Sequence, residues 1–170
     1  MCVILVGKIT KEQYEAALKQ NGDGFSCFTK RTGLVKAPSK KVVKAALGEF
    51  GVWHFRIASS GVVDETNIHP FPVCKGQWLL YHNGVLGLGL GNKSDTQALA
   101  DLLADAPFHT VRSTLVSLSE NNRFLLVNAK DPTDFITVGK WVVDAGVLMS
   151  HRMYNKWSFG FSKNSIYGED

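Results

Sequence analysis

The 170-residue sequence lacks the features that mark several specialised classes of protein. Its three cysteines are an odd number without regular spacing, which argues against a disulfide framework or a zinc site. No apolar run reaches the roughly 18 residues that a membrane-spanning helix needs. No basic segment precedes an apolar one at the amino terminus, so a secretory signal is not predicted. Repeats, low-complexity tracts and linkers are also missing, and we therefore expect one domain over residues 1–170. An obligatory thiol suits the reducing cytosol, so we expect a cytoplasmic protein.

The charge of the chain is moderate and spread out. The formal net charge is +4, and the only short basic cluster lies between Lys36 and Lys44. We interpret this cluster as the solvated start of a helix, because a nucleic-acid site usually needs a broader basic surface. A hydrophobic fraction of 45% and a charged fraction of 20% are ordinary for a globular protein. We predict neither a nucleic-acid partner nor a membrane partner.

Apolar periodicity and turn residues predict a mixture of helices and strands. Thr10 is expected to cap a helix, with Gln13 three residues further on. Asn83-Gly84 is a tight-turn signal, across which Val85-Leu86 would pair back. The elements do not alternate strictly, which favours a layered α+β domain over a doubly wound sheet. Helices are predicted at 11–20, 40–50, 95–105 and 111–118, and strands at 3–9, 25–30, 52–58, 77–82, 123–129, 135–138, 140–143 and 147–150.

Cys2 is the most informative residue, because it follows Met1 and opens an apolar run. A small residue at position 2 normally lets the initiator methionine be removed. Cys2 would then carry a thiol together with a free α-amine, which titrates near pH 8. Such an amine can take the thiol proton, directly or through a water, as it does for a terminal threonine nucleophile. The alternative is that Cys2 is a small hydrophobic residue at the start of a buried strand.

Three downstream segments carry polar side chains of chemical interest. Arg56 shares one face of a predicted strand with His54, and its planar fork suits a carboxylate. Asn83-Gly84 combines a side-chain amide with an accessible main-chain N–H, which is a plausible oxyanion hole. Asp95 places a carboxylate at a helix start. Each segment alone has an ordinary interpretation, namely a structural ion pair, a hairpin turn and a helix cap.

In this order after Cys2, the segments resemble the glutaminase domain of the class II glutamine amidotransferases, members of the N-terminal nucleophile (Ntn) hydrolase superfamily. The resemblance covers most of the chain and implies a four-layer αββα sandwich of two mainly antiparallel sheets. The matching elements are Cys2, Asn21-Gly22-Asp23-Gly24, His54-Phe55-Arg56 with Ala58 and Gly61, Asn67 with His69-Pro70-Phe71, His82-Asn83-Gly84, Ser94-Asp95-Thr96, and Lys140-Trp141 followed by 146–150.

The resemblance also implies a role for each matching residue. Cys2 would be the nucleophile and its α-amine the base. Asn83, through its side chain, and Gly84, through its main-chain N–H, would form the oxyanion hole. Arg56 would bind the α-carboxylate of glutamine, with Ser59 nearby where the family usually has threonine, and Asp95 would bind the α-ammonium. His69 and His82 are expected to be scaffold residues.

The predicted function is that of a stand-alone glutaminase-type amidotransferase domain without a fused synthase domain. It would release glutamate and ammonia from glutamine through a Cys2 thioester, without a metal or organic cofactor, and a separate synthase would accept the ammonia. Two alternatives stay open: an Ntn amidohydrolase acting on another amide, and a catalytically silent binding module with the same fold. Of the other cysteines, Cys27 is expected to be packed and Cys74 to be partly exposed.

Overall fold

A computed structural model describes residues 1–59, 61–89 and 91–152 of the protein. Within these ranges the chain forms ten strands, four α-helices and one 3-10 turn, Glu65–Asn67. In chain order the elements are β1 (Val3–Lys8), α1 (Lys11–Gln20), β2 (Gly24–Thr29), β3 (Gly33–Lys36), α2 (Lys40–Ala46), β4 (Phe50–Arg56), β5 (Phe71–Val73), β6 (Trp78–Asn83), α3 (Asp95–Leu103), α4 (Phe108–Ser117), β7 (Arg123–Asn128), β8 (Asp131–Val138), β9 (Val142–Asp144) and β10 (Val147–Met149).

The strands assemble into two antiparallel sheets. The first has the order β3-β2-β4-β1-β10-β9, and the second has the order β5-β6-β7-β8. β1 lies near the centre of the first sheet, where it pairs with β4 on one side and β10 on the other. Its apolar side chains are therefore buried on both faces, which explains why 3–6 reads as a continuous apolar run.

Three apolar clusters fill the spaces between the layers. Val3 and Leu5 face α1 and α2, whereas Ile4 and Val6 face the second sheet, because side chains alternate along a strand. The second sheet packs its other face against α3 and α4. The order of layers is thus helix, sheet, sheet, helix, and the predicted α+β Ntn-hydrolase sandwich is confirmed.

Several local predictions hold to within a few residues. The predicted helix at 11–20 is confirmed, and its cap is reciprocal: Gln13 N donates to Thr10 Oγ1 at 3.2 Å, and Thr10 N donates to Gln13 Oε1 at 2.8 Å. The helix predicted at 40–50 ends earlier, at Ala46, because the chain turns through Gly48 with a φ of +82° and enters β4 at Phe50.

The predicted pairing of Val85-Leu86 across the Asn83-Gly84 turn is wrong. Leu86 N donates instead to Asp95 Oδ2 at 2.8 Å, so the chain after Gly84 forms a loop held by a side chain. The short strands β3 and β5 were not predicted. Among the described residues, no helix combines the length and the apolar character needed to cross a membrane.

Candidate active site

The candidate site is a cleft at the end of the sandwich where β1 begins and β4 ends. Val3 pairs with Phe55, so Cys2 and Arg56 are the next residues along two neighbouring strands. The cleft holds about 290 Å³, counting space open to solvent. Five of the six predicted site residues line it, and the exception is Asn83; the five are Cys2, Arg56, Ser59, Gly84 and Asp95.

Cys2 is partly exposed, and its thiol donates a hydrogen bond to the Ile57 carbonyl at 3.5 Å. Burial raises the pKa of the Cys2 thiol above its usual value, and the nearby positive charge of Arg56 opposes this shift without cancelling it. The thiol is therefore protonated at neutral pH and needs a base before it can attack a carbonyl. Met1 precedes it and is 69% exposed.

Arg56 ends β4 with only 2% of its surface exposed, and its Nη1 donates to the Val62 carbonyl at 2.9 Å. The Asn21-Gly22-Asp23-Gly24 segment supports it. Asp23 N donates to the Arg56 carbonyl at 3.0 Å, and Asp23 Oδ2 accepts from Ala58 N at 2.9 Å. Gly24 is the register partner of Arg56, and a Cβ there would lie 2.9 Å from Ile68 Cγ1. This segment therefore sets where Arg56 enters the cleft.

Asn83 is buried, and its side-chain amide turns toward β10. Nδ2 donates to Ser150 Oγ at 2.9 Å and contacts His151 Nδ1 at 3.0 Å, so both amide hydrogens are engaged. Ser150 Oγ also accepts from Ile4 N at 3.1 Å, which ties Asn83 to β1. Ser150 and His151 are 67 and 68 residues from Asn83 in the sequence. The sequence indicates no role for either residue beyond the resemblance of 146–150 to closing strands.

Asp95 is the first residue of α3, and its carboxylate organises the loop that follows Gly84. Oδ2 accepts from Leu86 N at 2.8 Å and Gly87 N at 3.1 Å, and Oδ1 accepts from Gly89 N at 2.7 Å. Burial raises the pKa of Asp95, but these main-chain hydrogen bonds outweigh burial and hold it below its usual value. The helix is capped by Ser94, so the role of Asp95 goes beyond an ordinary cap.

Three histidines are buried beside the cleft. Burial lowers the pKa of each of them, to about 3 for His54 and well below the usual value for His69. Thr96 Oγ1 lies 2.9 Å from His69 Nε2 and 3.0 Å from His82 Nδ1. Neutral, hydrogen-bonded rings support the prediction that His69 and His82 are scaffold residues. In the described ranges, no three histidine, cysteine or acidic side chains are grouped so as to hold a metal ion.

The two remaining cysteines lie in apolar clusters. Cys27 is fully buried, and burial raises the pKa of its thiol to about 11. Cys74 is only 5% exposed and packs in the cluster between the second sheet and its helices. The prediction that Cys74 is partly exposed is therefore wrong, because the turn that follows Val73 packs back against α3.

A cysteine at the start of a central strand, between two antiparallel sheets with helices outside, is the arrangement of an Ntn hydrolase. No protein-family model matches the chain. Its relatives include glutamine–fructose-6-phosphate aminotransferases (isomerizing). The enzyme of Corynebacterium efficiens is 30% identical over 98 residues, that of Streptococcus agalactiae is 32% identical over 87, and that of Buchnera aphidicola is 25% identical over 138.

These matches confirm the resemblance to the class II glutamine amidotransferases that the motifs predict. The matched segments cover 49%, 49% and 69% of the chain for the three relatives. The chain covers only 16%, 14% and 22% of the relatives' own lengths, so the complete activity in their names describes much longer proteins.

Proposed function

We propose that the protein hydrolyses the side-chain amide of glutamine with Cys2 as the nucleophile. The observation that carries the proposal is the shared cleft, which is lined by a cysteine, a buried arginine, the glycine after Asn83 and a carboxylate. A free α-amino acid needs a fixed cation for its carboxylate and a fixed anion for its ammonium. Arg56 and Asp95 would supply that pair, with Ser59 beside the carboxylate. The side-chain amide would then point at Cys2.

The reaction requires removal of Met1, so that the α-amine of Cys2 is free. The amine takes the thiol proton, and the sulfur attacks the amide carbonyl. The tetrahedral intermediate collapses as the amine returns the proton to the departing nitrogen, which leaves ammonia and a γ-glutamyl thioester. Water then cleaves the thioester and gives glutamate and the free thiol. The Gly84 N–H and the Asn83 amide would hold the oxyanion, and one such donor is typically worth about 2.7–4 kcal/mol of barrier.

The names of the relatives support glutamine as the amide donor. We further propose that the released ammonia passes to an acceptor enzyme and that the reaction takes place in the cytoplasm. The chemistry described here uses neither a metal nor an organic cofactor.

The test is glutamate release from glutamine by protein whose intact mass shows loss of Met1. The Cys2→Ala variant should lose all activity, whereas Cys74→Ala should keep it, because Cys74 is buried away from the cleft. Equal rates for the wild type and Cys2→Ala would refute the proposal. If other amides are hydrolysed in place of glutamine, the protein is an Ntn amidohydrolase of different specificity. Loss of glutamine turnover in Arg56→Ala, with other amides unaffected, would support the glutaminase instead.

A second candidate, a silent binding module, is favoured by the state of Asn83. Both of its amide hydrogens are engaged by Ser150 and His151, so stabilising an oxyanion requires one of those contacts to break. A silent module would bind glutamine in calorimetry, release no glutamate after Met1 removal, and form no covalent product with an electrophilic glutamine analogue. Trapping of that analogue on Cys2 would exclude it.

A further inference from the structure

Asn122 lies just before β7 and is buried behind the proposed oxyanion hole. Its Nδ2 donates to the Leu118 carbonyl at 2.9 Å, and its Oδ1 lies 2.8 Å from His82 Nε2. The Leu118 carbonyl only accepts, so the amide orientation is fixed and Oδ1 must face His82. His82 Nε2 therefore carries a proton and donates it to Asn122.

This assignment determines which atom donates in each hydrogen bond along a chain of four side chains. Burial lowers the pKa of His82, so the ring is neutral and its Nδ1 accepts. The Thr96 hydroxyl donates to that nitrogen at 3.0 Å. Its hydrogen is then used, so Thr96 Oγ1 must accept from His69 Nε2 at 2.9 Å. The donors run in one direction, from His69 through Thr96 and His82 to Asn122.

The end of this chain touches Gly84. A Cβ built on Gly84 would lie 2.0 Å from Asn122 Oδ1 and 2.9 Å from His82 Nε2, so the Gly84 backbone packs directly on the hydrogen bond that joins the two side chains. Gly84 has a φ of +152° and contributes the main-chain N–H of the proposed oxyanion hole. A shift of Asn122 or His82 would therefore move that N–H.

We infer that Asn122 is a positioning residue, which holds His82 in one tautomer and thereby fixes the Gly84 turn for catalysis. The inference rests on the proposed function, since it assigns a purpose to a turn whose N–H binds the oxyanion. Asn122 does not line the cleft and touches no reacting atom; it acts through Gly84. A single asparagine before a strand is a common turn residue, so the sequence gives it no distinguishing signal.

The first test is 15N NMR of the histidine rings in the wild-type protein, which needs neither a variant nor activity. We expect His82 and His69 both to carry their proton on Nε2, and the His82 N–H to exchange slowly with solvent. A proton on His82 Nδ1 instead would overturn the inference.

The second test compares Asn122→Leu with Asn121→Leu, which changes the exposed neighbour. Asn122→Leu keeps the size of the side chain but removes the acceptor, and kcat for glutamine hydrolysis should fall about 10- to 100-fold, because small misplacements of catalytic groups have effects of this order. KM should stay within about threefold, since Arg56 and Asp95 are untouched. Asn122→Asp retains the acceptor for His82 Nε2 but, as a carboxylate, cannot donate to the Leu118 carbonyl, so it should recover only part of the lost kcat.

The outcomes separate the two proposals. If the wild type releases glutamate and Asn122→Leu is as active as Asn121→Leu, the positioning role is refuted and the proposed function stands. If the wild type releases no glutamate, the proposed function fails and the positioning role fails with it. If Asn122→Leu does not fold, the wild-type spectrum decides: a proton on His82 Nε2 supports the inference, and a proton on His82 Nδ1 refutes it.

Discussion

Replacing His54 with phenylalanine should make the protein less sensitive to acid. His54 lies in β4 between the two sheets with no surface exposed, and its ring centroid is 4.0 Å from that of His69. Within the described part of the chain, neither of its ring nitrogens has a hydrogen-bond partner. Burial, aided by the nearby charge of Arg56, lowers the pKa of His54 to about 3. The ring is therefore neutral in the folded protein at any pH well above that value.

The size of this effect on stability follows from the difference in the pKa of His54 between the folded and the unfolded state. In the unfolded chain His54 has a pKa of about 6.5, so between pH 6.5 and pH 3 the unfolded state binds a proton that the folded state does not. Stability must therefore fall as the pH is lowered through this window. Linkage gives a cost of about 2 kcal/mol at pH 5 and about 0.2 kcal/mol at pH 7 for this one residue.

The assay is urea unfolding of the wild type and His54→Phe at pH 7 and pH 5. The decrease in the free energy of unfolding between the two pH values should be about 2 kcal/mol smaller in the variant. Any repacking cost of the larger ring is the same at both pH values, so it cancels when the two decreases are compared. His109→Phe is the control, because His109 is exposed on α4 in the folded state as well as in the unfolded one. If His54→Phe and the wild type lose equal stability on acidification, His54 is not a buried neutral base.

Three further predictions concern the cleft. Asp95→Asn should raise the hydrogen-exchange rate of the loop amides 86, 87 and 89 by about 10- to 100-fold, because it weakens charge-assisted hydrogen bonds worth about 1.5–3 kcal/mol each. The control is Asp101→Asn, on the exposed side of the same helix, which should leave these exchange rates unchanged. Gly84→Ala should destabilise the protein by about 1–3 kcal/mol, because the added Cβ would overlap a buried side chain. Gly87 is also at positive φ, but a Cβ there meets no atom within 4 Å, so Gly87→Ala should lower the melting temperature less. An electrophilic glutamine analogue should alkylate Cys2 first, and free glutamine should protect it; peptide mapping that found another cysteine modified would contradict the site.

Much of the fold could be predicted because its signals are local. The cap of α1 depends on two residues three positions apart, and the apolar run of β1 reports that both faces of this strand are covered. β3 and β5 have only four and three residues, which is too short for an alternating pattern to be distinguished from a turn. The early end of α2 depends on the backbone conformation at Gly48, which the neighbouring residue types do not determine.

The candidate site was predicted unevenly for the same reason. Cys2, Arg56 and Asp95 stand in short motifs, and the cleft brings them together. The partners of Asn83 were missed, because Ser150 and His151 follow β10 and are 67 and 68 residues away in the sequence. Asn122 was missed because its importance arises only when β7 is placed beside β6. Contacts between distant residues depend on the assembled sheets, which no local pattern records.

The arrangement of the titratable groups around the cleft also bears on which group can act as the base. Both ring nitrogens of His82 are hydrogen-bonded, one to Asn122 and the other to Thr96. His69 gives its Nε2 proton to Thr96, and its Nδ1 is buried without contact to solvent. Asp95 accepts three main-chain hydrogen bonds that hold its pKa low, which makes it a weak base. Among the described side chains that line the cleft, none is therefore suited to take the Cys2 proton. This favours the α-amine of Cys2 itself, and it ties any nucleophilic activity to the removal of Met1.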